Sequence, residues 1–264
     1  MIGKALLDFF KSNFGRKAAL ELSYSKISSY RFCPWKYKLI YVDGLKIPPN
    51  PALSLGLSVH RALEVYHRHK GTTLEELLEA YNEKWVNEGF VTPQQTLQYF
   101  EKGKKMLVNY FEFSQNRKSE IVAVEKDFRY SLGSYILRGI IDRIDRSPDG
   151  TYEIIDYKTH AEMWEEARIH SDLQLTLYAL GAKEALSIEP TALSYFFLAH
   201  NKVVSTQRTD LDKKAAIQEL ENAAEKIEKG EFAPNTAQCH RCDFRNSCKY
   251  SIVKGVPNNH AKTK

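Results

Sequence analysis

Asp142, Asp156 and Lys158 are the residues whose types and spacing could do chemistry. They fall in residues 135–159, Y-I-L-R-G-I-I-D-R-I-D-R-S-P-D-G-T-Y-E-I-I-D-Y-K-T. Side chains two apart on a strand share a face, so Ile140, Asp142 and Ile144 point one way on a first strand, as do Ile154, Asp156 and Lys158 on a second. Each acid then sits among apolar neighbours, where a bare carboxylate is costly. A divalent cation shared by Asp142 and Asp156 would offset that cost, with the Lys158 amine as a third polar group on the same face. The competing reading is a wet sheet face whose charges merely pair across strands.

Two strands and a tight return must position these groups, and Ser147-Pro148-Asp149-Gly150 between two Ile- and Tyr-rich runs supplies the turn chemistry. Residues 121–130 (I-V-A-V-E-K-D-F-R-Y) read as a further strand, giving three in succession. Upstream, a helical pattern begins near Ser54 and carries Gly56 and His60 one turn apart on one face. Gly56 would let another backbone come close. A lone histidine on a helix is more often satisfied locally than a ligand. Downstream, Ser171-Asp172-Leu173-Gln174 has the form of a capping box that opens a helix running to about Leu186, with Gln174 and Tyr178 on one face. Taken singly, Gln174 reads as a cap and Tyr178 as a core aromatic. Residues 191–204 read as a strand and its return, and residues 211–228 as a helix with a charged face.

The four cysteines form one pattern: Cys33, then Cys239-x2-Cys242-x5-Cys248. In a reducing compartment such thiols suggest a metal or cluster site rather than disulfides. One close pair with single cysteines at unlike spacings suits an iron-sulfur cluster at least as well as zinc, and unrelated buried thiols are the plain alternative. Such a site would join the two ends of the chain across about 200 residues, at a closure cost that grows only logarithmically with length.

The chain has 264 residues, 43% of them hydrophobic, and a formal charge of +5. That is enough for an ordinary core, and it permits a basic groove for nucleic acid without demanding one. Residues 23–42 interleave bases and aromatics around Pro34, a pattern found where strands are bound and, more often, on half-buried helix faces. No stretch has the length and apolarity of a secretory core or a membrane span, so a cytoplasmic protein without membrane contact is expected. The expected organisation is an N-terminal segment, 1–22, with a helix over 2–14. A single domain, 23–250, follows with a helical insert at about 73–116, and then a polar tail, 251–264.

Together these motifs resemble the RecB-like branch of the PD-(D/E)XK nucleases, a group that includes AddB nuclease domains and CRISPR-adaptation nucleases with an iron-sulfur cluster. G-x-x-x-H corresponds to Gly56–His60, the motif with the first metal-binding acid to G-I-I-D-R-I-D at 139–145, D-x-K to 156–158, and Q-x-x-x-Y to 174–178. The cysteine arrangement also matches the cluster-bearing members. The resemblance implies an α/β, restriction-endonuclease-like core (helix, three strands, helix, strand) with a mixed sheet and an iron-sulfur clasp joining the N- and C-terminal regions. It implies a Mg²⁺- or Mn²⁺-dependent deoxyribonuclease, an exonuclease rather than an endonuclease, acting on single-stranded or frayed ends in DNA repair, recombination or CRISPR adaptation. Asp142, Asp156, His60 and the Tyr157 carbonyl would hold the metal. Lys158 would orient or help deprotonate water, and Gln174 and Tyr178 would position Lys158 or the strand. Cys33, Cys239, Cys242 and Cys248 would carry a 4Fe-4S cluster, with zinc the alternative. DNA is the implied partner, with a helicase or a CRISPR integrase beside it. A rival from another class is a non-catalytic DNA-binding or scaffold protein with a structural metal cluster. The insert at 73–116 and the helix at 2–14 depart from the family pattern.

Overall fold

A computed structural model describes residues 19–253, so the helix expected over 2–14 and the tail beyond residue 253 lie outside the described residues. One mixed sheet contains β1 (Glu21–Leu22), β2 (Glu120–Leu132), β3 (Tyr135–Arg146), β4 (Tyr152–Lys158), β5 (Pro190–Phe197) and β6 (Lys202–Thr206). Around it run α1 (Tyr24–Phe32), α2 (Pro34–Tyr37), α3 (Pro51–Arg68), α4 (Leu74–Lys84), α5 (Pro93–Ser114), α6 (Glu166–His170), α7 (Leu173–Leu186) and α8 (Asp210–Glu228). The expected order of helix, three strands, helix, strand is therefore present, extended by β1, β6 and α8.

The turn chemistry acts where it was expected to. Gly150 adopts φ +86° and its N–H donates to Ser147 O at 2.9 Å, while the Asp149 carboxylate accepts from the Thr151 N–H at 3.0 Å. This return makes β3 and β4 antiparallel. β4 and β5 are parallel, so the chain must cross the sheet between them, and α7 makes the crossing. β3 is paired along its whole length by β2 on one edge. Its other edge is shared by β1, at Ile136 and Leu137, and β4, from Arg143 onward.

Two apolar layers cover the sheet. Ile144, Ile154, Leu193 and Tyr195 pack with Ile27 of α1, with α7 and with Leu220 and Ala224 of α8. Ile155, Tyr157 and Phe196 pack on the other side with Val59 and Leu63 of α3, Leu77 of α4 and Leu107 and Tyr110 of α5. Residues 74–114 thus hold a helical pair that forms part of a core layer.

Local starts differ from the sequence reading in two places. α3 begins at Pro51, three residues earlier, because Asn50 caps the Leu53 N–H at 3.0 Å and proline fits a first turn whose N–H groups are unpaired anyway. The α7 cap is Asp172 alone, which accepts from the Gln174 N–H at 2.8 Å. Ser171 instead closes the short helix α6, donating to Ala167 O at 3.0 Å.

Phe128 of β2 sets the distance between α7 and the sheet. Its ring lies against the bare Cα of Gly139 on β3 and of Gly181 on α7, and a Cβ added at Gly139 would sit 2.7 Å from it. Gly181 is tighter still, within a helix that is buried along most of its length. Gly181→Ala should cost about 1–3 kcal/mol in urea unfolding through overpacking, and adding Phe128→Leu should recover part of that loss. An unchanged midpoint in Gly181→Ala would contradict the wedge.

Candidate active site

The site opens where two strands part. Backbone pairing between β3 and β4 runs from Arg146/Tyr152 to Arg143/Ile155 and goes no further. Beyond it the Asp142 carboxylate turns into the gap and accepts the Tyr157 N–H at 2.9 Å, replacing the missing ladder partner. Asp142 is 7% exposed and Asp156 2%, so both acids are buried against the seam rather than spread on a wet face. Ile140, by contrast, is 45% exposed, so the apolar fence expected around Asp142 is open on that side.

Two groups of side chains meet there. In the first, His60 reaches from α3, with Nε2 3.1 Å from the Tyr157 carbonyl and Nδ1 3.4 Å from Asp142 Oδ2. Gly56, one turn earlier, lets α3 lie close to Thr159, whose hydroxyl would be 3.3 Å from an added Cβ. Glu125 completes this group: donor atoms of His60, Glu125 and Asp142 all lie within 4.8 Å of one another. Glu125 sits opposite Asp142, between the Val124/Arg143 and Lys126/Ile141 pairs, in a left-handed conformation at φ +45°. That backbone costs a side-chain-bearing residue about 1–3 kcal/mol. Burial, and then the charge of Asp142, push the Glu125 carboxyl up to about 7.

In the second group, Lys158 Nζ lies 2.5 Å from Asp156 Oδ1 and donates to Gln174 Oε1 at 2.8 Å. Gln174 Nε2 donates to Asp156 Oδ2 at 2.8 Å, and stands 2.9 Å from the Tyr178 hydroxyl. Gln174 therefore reads both the acid and the amine, and its side chain is no helix cap. Burial works against the Lys158 ammonium, but the Asp156 and Asp142 carboxylates outweigh it and hold the amine above its ordinary range. Asp156 is pushed up to about 6, by burial first, with Lys158 opposing and Asp142 adding to the rise. The structure thus brings His60, Asp142 and the Tyr157 backbone together in one group and Asp156, Lys158, Gln174 and Tyr178 in a second beside it, and Asp156 is not among the residues whose donor atoms converge within 4.8 Å.

The rear of the seam is braced by Arg143 and Asp145. Arg143 is 3% exposed and Asp145 fully buried, joined by Nε···Oδ1 at 2.5 Å and Nη2···Oδ2 at 2.6 Å. Arg143 also donates to the Tyr110 hydroxyl at 2.6 Å, and that hydroxyl lies 3.1 Å from the hydroxyl of Tyr157. Removing one partner of such a buried pair costs about 3–5 kcal/mol. His67 joins at 2.6 Å from the Tyr110 hydroxyl, and burial, followed by the Arg143 charge, pulls its pKa down to about 3. The front-facing carbonyl of Tyr157 is therefore fixed by its own side chain behind the strand.

Cys33, Cys239, Cys242 and Cys248 line a single cavity with Trp35, Leu39 and Tyr250. Cys33 Sγ accepts the Asn235 N–H at 3.3 Å, and burial pushes the Cys242 thiol up. All four thiols are free. Among the described residues, no three of these sulfurs lie within 4.8 Å of one another.

The parted strands, the D-x-K segment and the flanking helices define a class, and residues 21–249 match the profile of the PD-(D/E)XK nuclease superfamily. The chain belongs to that superfamily. Among curated proteins it is similar to the B-type polypeptide of the ATP-dependent helicase/deoxyribonuclease of Streptococcus equi subsp. zooepidemicus, 27% identical over 195 residues that make up 67% of this chain and 18% of that protein. The polypeptide of the same name from Streptococcus pyogenes serotype M49 is 32% identical over 99 residues, 36% of this chain and 9% of that protein. The chain thus spans less than a fifth of the length of these relatives. A crystal structure of a candidate exonuclease from Eubacterium rectale overlays with TM-score 0.54 at 14% identity, covering 95% of this chain and 94% of that one, which bears on the fold alone. Among the described residues, no helix is long and apolar enough to cross a membrane.

One imidazole and two carboxylates, with a backbone carbonyl beside them, are the donor set of a hard divalent cation. Cation binding needs ionised carboxylates, and Glu125 and Asp156 ionise near pH 7 and 6. Calorimetric titration with Mn²⁺ should accordingly give at least a tenfold tighter constant at pH 8 than at pH 6. Glu125→Gln should flatten that dependence, and equal affinity at both pH values would contradict the assignment.

Proposed function

We propose that this chain is a metal-dependent deoxyribonuclease acting from single-stranded or frayed ends. The observation that carries the reading is the convergence of His60, Glu125 and Asp142 within 4.8 Å, beside a lysine that Asp156 and Gln174 hold in place. His60, Glu125, Asp142, Asp156 and the Tyr157 carbonyl would hold Mg²⁺ or Mn²⁺. When bound, that ion supplies Lewis-acid polarisation of the phosphodiester and activation of water.

The chain's own residues do the rest. Lys158 stays protonated under two carboxylates, so it acts as a donor that orients the attacking water and stabilises negative charge on the phosphate oxygens. Gln174 fixes the direction of that amine and is itself held by Tyr178. Water oxygen bonds to phosphorus, giving up one proton to solvent, and the bond from phosphorus to the 3′ oxygen breaks. The leaving oxygen takes a proton from solvent, giving a 5′-phosphate and a 3′-hydroxyl. A non-catalytic scaffold would leave these convergent groups without use. The named relatives join helicase and deoxyribonuclease in one description, which supports a helicase as the partner that feeds strands to the site. No comparable support exists for a CRISPR integrase.

The cysteine cavity is read as the seat of a 4Fe-4S cluster. What supports this reading is that all four cysteines line the one cavity, in the sequence order of one upstream thiol and a close downstream trio. Its role is to tie Cys33, in the break between α1 and α2, to the C-terminal end of the domain.

Lys158→Ala and Asp156→Ala should each abolish cleavage of 5′- and 3′-labelled single strands in Mg²⁺ or Mn²⁺ after anaerobic purification, while the strands still bind. Cleavage persisting in both variants would sink the enzymatic reading. Cys33→Ser should lose iron and lower the melting temperature while Mn²⁺ still binds at the carboxylates. Iron content and melting temperature equal to those of the wild type would remove the cluster proposal.

A further inference from the structure

Next to the lysine lies a cleft of about 270 Å³ lined by Tyr24, Ser28, Arg31, Arg168, Ser171 and Asp172. None of these residues takes part in the centre described above, although Asp172 caps the helix that carries Gln174. With Leu173 as its one apolar member, the lining offers two guanidinium groups, two aliphatic hydroxyls, a phenol and one acid, and the two cations suit an anion.

The cleft is joined to the centre through Trp164. The Arg168 guanidinium carbon stands 3.7 Å from the Trp164 ring centroid, and Lys158 Nζ stands 5.5 Å from the same centroid. His160 stacks on that ring as well, at 5.0 Å and 22°. A guanidinium stacked on an aromatic face keeps the donors on its rim available, so Arg168 is oriented in advance for bidentate contact with an oxyanion. Among the described residues, Arg168 forms no ion pair with a carboxylate. Arg31 pairs with Glu219 at 2.8 Å, but the two side chains are 57% and 39% exposed, and an exposed pair of this kind is readily exchanged.

One acid stands on the wall against two guanidinium groups. Asp172 Oδ1 accepts the Tyr195 hydroxyl at 2.5 Å and the Gln174 N–H at 2.8 Å, so that oxygen is engaged at the start of α7. The walls are also stiff. Arg208 donates to Ile169 O at 2.9 Å, to Asp172 O at 3.0 Å and to Thr176 Oγ1 at 2.7 Å, which locks the α6–α7 junction bearing Arg168 and Ser171.

The geometry points to this cleft as a seat for a backbone phosphate of the DNA strand, close to the scissile one, with Arg168 and Arg31 as its cationic contacts. This inference rests on the nuclease reading for the position of the scissile phosphate. The seat fixes where the strand runs past the centre without reading its bases, because phosphate contacts carry register and not sequence.

The test measures binding without cleavage: fluorescence anisotropy of a labelled oligothymidylate with the full chain in EDTA, across a salt series. Each phosphate contact to a single strand contributes about 0.7 to the slope of log affinity against log salt. Arg168→Ala should lose about 0.7 and the Arg31→Ala/Arg168→Ala pair about 1.4. Arg168→Lys, which keeps the charge, should retain most of the slope and guards against mere unfolding. Unchanged slopes in both alanine variants, in a preparation whose wild type cleaves normally, overturn the seat and leave the nuclease reading intact. Slope losses of the expected size in a chain that cleaves nothing support phosphate contacts by Arg168 and Arg31 but sink the nuclease reading, and with it the placement beside a scissile phosphate. Thymidine monophosphate displacing the oligonucleotide at equal phosphate concentration would overturn the assignment to a strand.

Discussion

The backbone pairing that β3 and β4 fail to make is the constraint on which the rest of this structure depends. Parting two strands leaves polar backbone groups without ladder partners inside the protein, and such groups must be satisfied. The Tyr157 N–H takes the Asp142 carboxylate, and the Tyr157 carbonyl takes His60. Satisfying the opened seam therefore draws an acid and an imidazole together at one point. Burial first, with the Asp142 charge added to it, holds Glu125 and Asp156 above the ordinary carboxylate range, although Lys158 opposes the rise at Asp156.

Opening a sheet at one place requires holding it elsewhere. Arg143 and Asp145 follow Asp142 in the same strand, yet they work behind the sheet, tying Tyr157 and Tyr110 into a buried polar network. Arg117 and Ser119, just before β2, add contacts to Asp145 at 3.4 and 2.7 Å. The motif at 139–145 thus divides its labour: Gly139 admits Phe128, Asp142 faces the centre, and the next charged pair keeps β4 in register.

Much of this was legible in the residues. The hairpin, its turn, the strand before it, α7 and the D-x-K face followed from period-two patterning and turn chemistry, which are local. Gln174 could not be assigned from spacing, since only the packing of α7 over β4 turns its amide toward Lys158. Glu125 was missed although a signal existed. Counting back from the Gly133-Ser134 turn, where Leu132 pairs with Tyr135, sets Glu125 opposite Asp142. A carboxylate at the end of an apolar run, facing a second carboxylate, has the same burial cost that marked Asp142 and Asp156. The phosphate-sized cleft was hidden for another reason: Tyr24, Arg31 and Arg168 come from distant segments, and α6 lies in a stretch with no periodic signal.

The helical pair that precedes β2 has a wider bearing than its place in the chain suggests. Tyr110 of α5 is the hub through which Arg143, His67 and Tyr157 meet, so this pair of helices is tied to the residue whose carbonyl faces the centre. A shortened homologue could not simply discard this segment. It would have to find another acceptor for the Arg143 donor that the Tyr110 hydroxyl now satisfies, while Asp145 continued to balance the guanidinium charge.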